Sequence, residues 1–443
     1  MKKLLMFLAV LMISLTIISC GAKDPLTVWV GSESVDFYTQ KLEDYKAVYL
    51  EKYGEEFPHE FKVVGVDTGA AAGTFLNDTE AGADIFTAAH DNLAKLTAGS
   101  SAVEAVRSQE LINQINADNP QIFLDVIKSD VQGTQYIFAV PYIAQSMILY
   151  YNTKYLTEDD VKTWEGILAK AEEAEKRALS ISGTDGFNNS FILLAREVET
   201  KATTLELYTN GVLENVNATG DDTIAKMKWG QYFFTHPNGG LKPTSATWSG
   251  ELKNETTISF VGGAWQYKSA AAALGDNLGI AILPTFTIGE DQAYGTCEAG
   301  TEFQSGSFFD AKAFFMKKGS EYSEYLEDII LYLSSKEVQE ESFEAAQNLP
   351  AYKNAQDEFE AFQEDTIEAE LALTQLMMAE HSIPQPFGVK REFNVYYYQK
   401  GAPELIFEIF ENLDDAYTTD EAIIAQMEIV EEIWETGVNN KTS

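Results

Sequence analysis

The chain has 443 residues and a formal net charge of −38, from 69 acidic against 31 basic side chains; it therefore lacks the basic surface that binds nucleic acid through counterion release, and it repels anionic lipid headgroups. Its length exceeds what one hydrophobic core supports, and 45% hydrophobic with 12% aromatic residues suits globular folding, so two lobes are expected. With 2 cysteines in all, Cys20 and Cys297, disulfides are not what would hold such a chain together.

In chain order, Lys2 and Lys3 precede an apolar run from Leu4 to Ile18, interrupted only by Ser14 and Thr16, and then Ser19-Cys20-Gly21. Charged, apolar, then small residues is the order of an export signal, here residues 1–19, and the run is short of the roughly 20 residues that cross a bilayer. The tetrad Ile17-Ile18-Ser19-Cys20 resembles a bacterial lipobox, with Ile where Leu is usual. That resemblance implies that Cys20 is acylated, becomes the first mature residue and anchors the protein to the membrane, which leaves Cys297 without a partner.

From Leu26 the pattern alternates strand and helix. Residues 26–30 read as a strand, and Tyr38, Leu42, Tyr45 and Tyr49 follow at helical spacing. Residues 60–67 and 84–88 read as further strands around a short helix at 70–77, a repeated β-α-β pattern that predicts a mostly parallel sheet covered by helices. Residues 136–143 and 147–151 look like two strands meeting near Pro141 and Gln145, and Thr163 is placed to cap a helix over 164–177. A second α/β unit follows through 179–182, a helix over 222–234, and strands at 258–261 and 278–283. The last third is dominated by acidic amphipathic helices, with Ile423, Met427, Val430 and Trp434 on one face.

Several segments, in order, resemble the maltose-binding-protein branch of the family 1 extracellular solute-binding proteins. Leu26-Thr27-Val28-Trp29-Val30-Gly31 matches its opening strand; Gly82-Ala83-Asp84-Ile85 followed by Ala89-His90-Asp91 matches its Gly-Pro-Asp-Ile and Ala-His-Asp. Pro141 to Asn152, Thr163-Trp164-Glu165, Gly262-Gly263-Ala264-Trp265 and Leu283-Pro284-Thr285-Phe286 continue the series. The resemblance implies an α/β, two-lobe periplasmic-binding-protein-like fold of type II with a helical C-terminal region. The lobes would comprise residues 26–144 with 287–348 and residues 147–283 with 352–440, with hinge crossings near 144–147, 283–286 and 349–352. It further implies a monomeric, extracytoplasmic carrier, without cofactor, that closes on an oligosaccharide and delivers it to the permease subunits of an ABC importer.

A sugar presents apolar C–H faces and a belt of hydroxyls, so its site needs aromatic platforms and hydrogen-bonding groups, ionised carboxylates above all. The resemblance puts Trp265 where a tryptophan stacks on a sugar ring, with Tyr267 beside it, and Asp91 and Glu33 where acids bind hydroxyls. Asp91 also suits a helix N-cap. Asp185 and Phe187 resemble the family's Glu-Pro-Tyr in spacing, Gln145 stands at a hinge glutamate, and Phe387, after Ser382-Ile383-Pro384-Gln385-Pro386, lies near a further stacking aromatic, as does Tyr396. Ser34, Ala88 and Asn92 stand where the maltose binders carry a lysine, an aromatic and an arginine. Loss of two cations argues against anionic ligands.

A polyamine or peptide ligand is the alternative within the same fold. A surface glycosidase working through two carboxylates is the alternative outside it, but no Gly-x-Ser-x-Gly elbow, phosphate-binding glycine loop or His-Glu-x-x-His motif is present. His59, His90, His236 and His381 are too scattered in sequence to suggest a metal centre.

Overall fold

The computed structural model describes residues 24–181, 186–187, 190–200, 205–209, 212–241, 247–385, 397 and 401–439. Leu26, Val28 and Val30 alternate inward along β1 (Leu26–Val30), and Tyr38, Leu42, Tyr45 and Tyr49 form the buried face of α1 (Val35–Tyr53). Gly54 ends α1 at φ 77°, a left-handed cap that costs a glycine little. β2 (Phe61–Gly65) and β3 (Ile85–Ala89) pair parallel on either side of β1, and between them α2 (Thr68–Asn77) starts where the Asp67 carboxylate accepts the Ala70 N–H at 3.0 Å.

The two strands expected around Pro141 and Gln145 are one, β4 (Val140–Asn152), buried along all 13 residues. Thr163 caps α3 (Trp164–Glu173) as expected, its hydroxyl accepting the Gly166 N–H at 3.0 Å. The chain continues through β5 (Ser180–Ile181), α4 (Asp221–Thr235), β6 (Ser259–Gly263), α5 (Tyr267–Leu274), β7 (Leu278–Ala281) and β8 (Ser307–Met316). It ends with α6 (Lys336–Ala346), α7 (Ile367–Ala379), β9 (Ser382–Pro384), α8 (Ala402–Glu411) and α9 (Asp420–Asn439), where Ile423, Met427, Val430 and Trp434 are all buried.

The main sheet runs β2-β1-β3-β8-β4-β6-β5, with β7 also on β4 and β9 on β8. It is mixed, not mostly parallel: β8 lies antiparallel to both β3 and β4, and β4 lies antiparallel to β6 and β7. The local β-α-β pattern extends only to β3, whereas β8 enters between β3 and β4 from the other direction after a long excursion. Pro141 does not end a strand because the ladder to β8 shifts register between Lys312 and Ala313, opposite Ile143 and Pro141. A bulge there accommodates a residue that has no N–H to donate.

β4 changes partners midway. Residues 140–146 pair with β8, and residues 147–152 pair with β6 and β7. Two apolar cores follow the same division, one holding residues from Leu26 to Ala144 and from Phe309 to Phe362 together with Ala372, the other residues from Met147 to Phe308 and from Met378 to Trp434 together with Leu371, so that α7 serves both. Segment 287–308, expected with the first lobe, packs into the second core through Ile288, Cys297, Phe303 and Phe308. The small antiparallel sheet of Arg196–Glu197, Thr285–Thr287 and Glu302–Gln304 holds it there. Residues 352–362, expected in the second lobe, contribute Tyr352, Phe359 and Phe362 to the first core.

Candidate functional site

One cleft takes walls from both cores. On the second-core side β6 ends in Gly263, and Trp265 follows in a tight 3-10 turn. A Cβ on Gly263 would collide with the Trp265 ring, so the glycine is what lets the indole lie against the backbone. The Gln266 side-chain oxygen accepts the Gly263 N–H at 3.0 Å and fixes the turn. Trp265 remains 43% exposed. Its ring centroid is 5.9 Å from that of Phe187, tilted by 45°, and Phe187 stacks in turn at 6.0 Å on Phe308. The indole is thus the outer end of an aromatic series that continues inward through Tyr397 to Trp434.

Tyr267 also borders the cleft, but it is only 7% exposed and its hydroxyl donates to the Glu368 carboxylate at 2.7 Å. Burial, then that carboxylate, holds the phenol pKa above its usual range. On the first-core side Glu33 stands in the 3-10 turn after β1, joined by Ile143, Ala144 and Gln145 of β4 and by Asn348. Gln347 ends α6 at φ 57°, a left-handed position that strains a non-glycine residue beside the cleft. Lys312 of β8 and Lys268 of α5 complete the polar lining.

Behind Gln145 lies a buried polar network. Its amide donates to Asp310 Oδ2 at 2.9 Å, and His90 Nδ1 is 2.9 Å from Asp310 Oδ1. Burial alone would lower the His90 pKa, but the Asp310 carboxylate, with Asp91 behind it, raises it overall. Asp91 sits in the turn after β3, where it accepts from the Asn92 amide at 2.7 Å. Burial, then the neighbouring Asp310 charge, pushes its carboxyl up to about 7.

The structure thus brings Glu33, Gln145, Trp265 and Tyr267 to one cleft and sets Phe187 behind the indole. Asp91 is not among the lining residues; its carboxylate accepts from Asn92 and feels the nearby Asp310 charge. Cys20, Asp185, Phe387 and Tyr396 lie outside the described residues. Among the described residues no helix is long and apolar enough to cross a membrane.

A family model described as bacterial extracellular solute-binding protein matches residues 48–370. The chain belongs to that family. Its members are binding components of transport systems and not enzymes. Among solved structures, this solute-binding protein is similar to the maltodextrin binding protein MalE1 from L. casei BL23 without ligand, at 18% identity and TM-score 0.73, covering 93% of this chain and 98% of that one. It is also similar to the maltose-binding periplasmic protein MalE from Listeria monocytogenes in complex with maltose, at 15% identity and TM-score 0.68 over 95% and 99% of the two chains. A cyclo/maltodextrin-binding protein complexed with maltotetraose gives 16% identity and TM-score 0.68 over 96% and 100%. At such identities the likeness establishes the fold. No curated protein sequence matches.

Sequence reasoning missed Lys268, Lys312, Gln347 and Asn348. Lys312 carried a signal: with Asp310 it is one of the two charged residues in the otherwise apolar strand Ser307–Met316. Lys268 follows Trp265 by three residues and carried none beyond that proximity.

Proposed function

We propose that this solute-binding protein captures an oligosaccharide in the cleft between its two cores and delivers it to the permease subunits of an ABC importer. The observation that carries the reading is the half-open face of Trp265, seated on Gly263 and facing a wall that holds Glu33 and Gln145. An aromatic plane opposed by hydrogen-bonding groups is the arrangement a pyranose needs, and the maltose, maltotetraose and maltodextrin named for the similar structures agree with it. Closure would swing residues 26–144 with 309–362 against residues 147–308 with 378–434, flexing where β4 exchanges partners. The protein acts as a monomer outside the cytoplasm, tethered by acylation of Cys20, a reading supported by the signal-like run before it.

The test is a thermal-shift screen across neutral and acidic oligosaccharides, polyamines and short peptides, followed by small-angle scattering with whatever binds. A cleft ligand at 100 times its dissociation constant adds ~2.7 kcal/mol of stability. The radius of gyration should fall on saturation. Stabilisation by a polyamine or peptide, with none by any sugar, would sink the oligosaccharide reading.

A further inference from the structure

The chain is strongly acidic, yet the described lining of the cleft reverses that sign locally, with Lys268 and Lys312 against the single carboxylate of Glu33. The two lysines come from different places: Lys268 from α5, beside Trp265 on the second-core wall, and Lys312 from the stretch of β8 that pairs with β3 and β4 in the first core. Closure therefore brings cations toward a ligand from both sides.

Both amines are available to a ligand: Lys268 is exposed and Lys312 half-buried. Lys268 and Lys312 pair with no carboxylate among the described residues, in a chain with 69 acids to choose from. Lys268 is the second residue of α5, where the helix dipole disfavours a cation and favours an anion, so it does not stabilise its own helix. Lys312 does not serve as counter-ion to Asp310 two residues away, because His90 and Gln145 already contact both oxygens of that carboxylate.

We infer that the ligand is an anionic oligosaccharide, whose charged substituent is held between Lys268 and Lys312 while Trp265 stacks on a ring and Glu33 and Gln145 meet hydroxyls. This rests on the oligosaccharide reading above and deepens it. It also replaces the expectation that losing cations at Ser34 and Asn92 disfavours anions: the positive charge is retained at other positions. Ring carboxylates and sulfate esters share the required chemistry.

The experiment measures affinity by calorimetry for uronate oligomers (galacturonate, glucuronate-bearing xylan and mannuronate tetramers), each beside its methyl ester. Sulfated oligomers are run beside their desulfated forms, and maltotetraose serves as a neutral reference. One acidic member should bind at least tenfold more tightly than its uncharged counterpart, and that ratio should shrink as salt rises. In Lys268→Gln and Lys312→Gln the ratio should fall toward one, with the unliganded melting temperature confirming that each variant folds. Which arm responds tells carboxylate from sulfate. Neutral sugars that bind as well as acidic ones, or ratios the lysine variants leave unchanged, overturn the inference while the oligosaccharide reading stands. If none of these sugars binds, both fall.

Discussion

Replacing Trp265 by alanine is the most direct probe of the cleft. A tryptophan side chain offers up to about 250 Å², so an indole that is 43% exposed leaves roughly 100 Å² for a ligand to cover. At about 25 cal/mol per Å² full coverage is worth ~2.5 kcal/mol, and a sugar lying on one face takes about half of that or more. Trp265→Ala should therefore weaken binding between about tenfold and a hundredfold. Emptying a fully packed aromatic site costs ~3–5 kcal/mol of stability, but this ring is 43% exposed, with Gly263 and, at 5.9 Å, Phe187 against it, so the loss should be nearer 1–2 kcal/mol. Calorimetry on the best ligand from the screen gives the first quantity, and urea unfolding without ligand the second. A variant that unfolds several kcal/mol more easily yet binds with unchanged affinity would show that Trp265 is a core residue and that the cleft reading is wrong.

Two further predictions concern buried charge. The folded pKa of Asp91, about 7, lies above the unfolded carboxylate value, so its burial destabilises the fold increasingly as pH rises from about 4 to 7 and not at all below that window. Asp91→Asn should gain roughly 1–3 kcal/mol on the wild type between pH 4 and pH 8 in urea titrations; an equal difference at both pH values would refute this. Lys226, fully buried, donates to the Leu193 and Ala195 carbonyls at 2.9 and 3.1 Å, and burial lowers its pKa to about 7. Between pH 7 and about 10.4 the unfolded chain binds the extra proton, so this residue makes the fold more stable as pH rises. Relative to Lys226→Met, the wild type should gain a few kcal/mol from pH 7 to 10, with ~4–5 as the ceiling, and parallel profiles would contradict the assignment.

What could be read in the sequence was whatever local periodicity carries. The Tyr38, Leu42, Tyr45, Tyr49 stripe, the Thr163 cap and the buried face of α9 follow from residues within a few turns of one another. The Gly262-Gly263-Ala264-Trp265 segment was read only through its resemblance to the family, and the close approach of the indole to Gly263 came from the structure. Pairings between distant segments were not legible. Nothing near Pro141 says that Ala313 lies opposite it, and that pairing turns an apparent break into a bulge. The same blindness hid the surroundings of Asp91, which include the Asp310 charge brought in from a distant strand, and hid Lys312 until β8 took its place in the sheet.

The position of β8 governs how the protein can be assembled. It lies between β3 and β4, although it follows β4 by more than 150 residues in the chain. The first core's sheet therefore stays open, with β3 and β4 unable to reach each other, until the polypeptide through Met316 is available. Neither half is a unit that can mature by itself and then wait for the other. Contacts of such long sequence separation fold slowly, and unpaired strand edges persist in the meantime. A truncation before Ser307 would leave that gap permanently, so fragments ending between the two cores should aggregate where the whole chain does not.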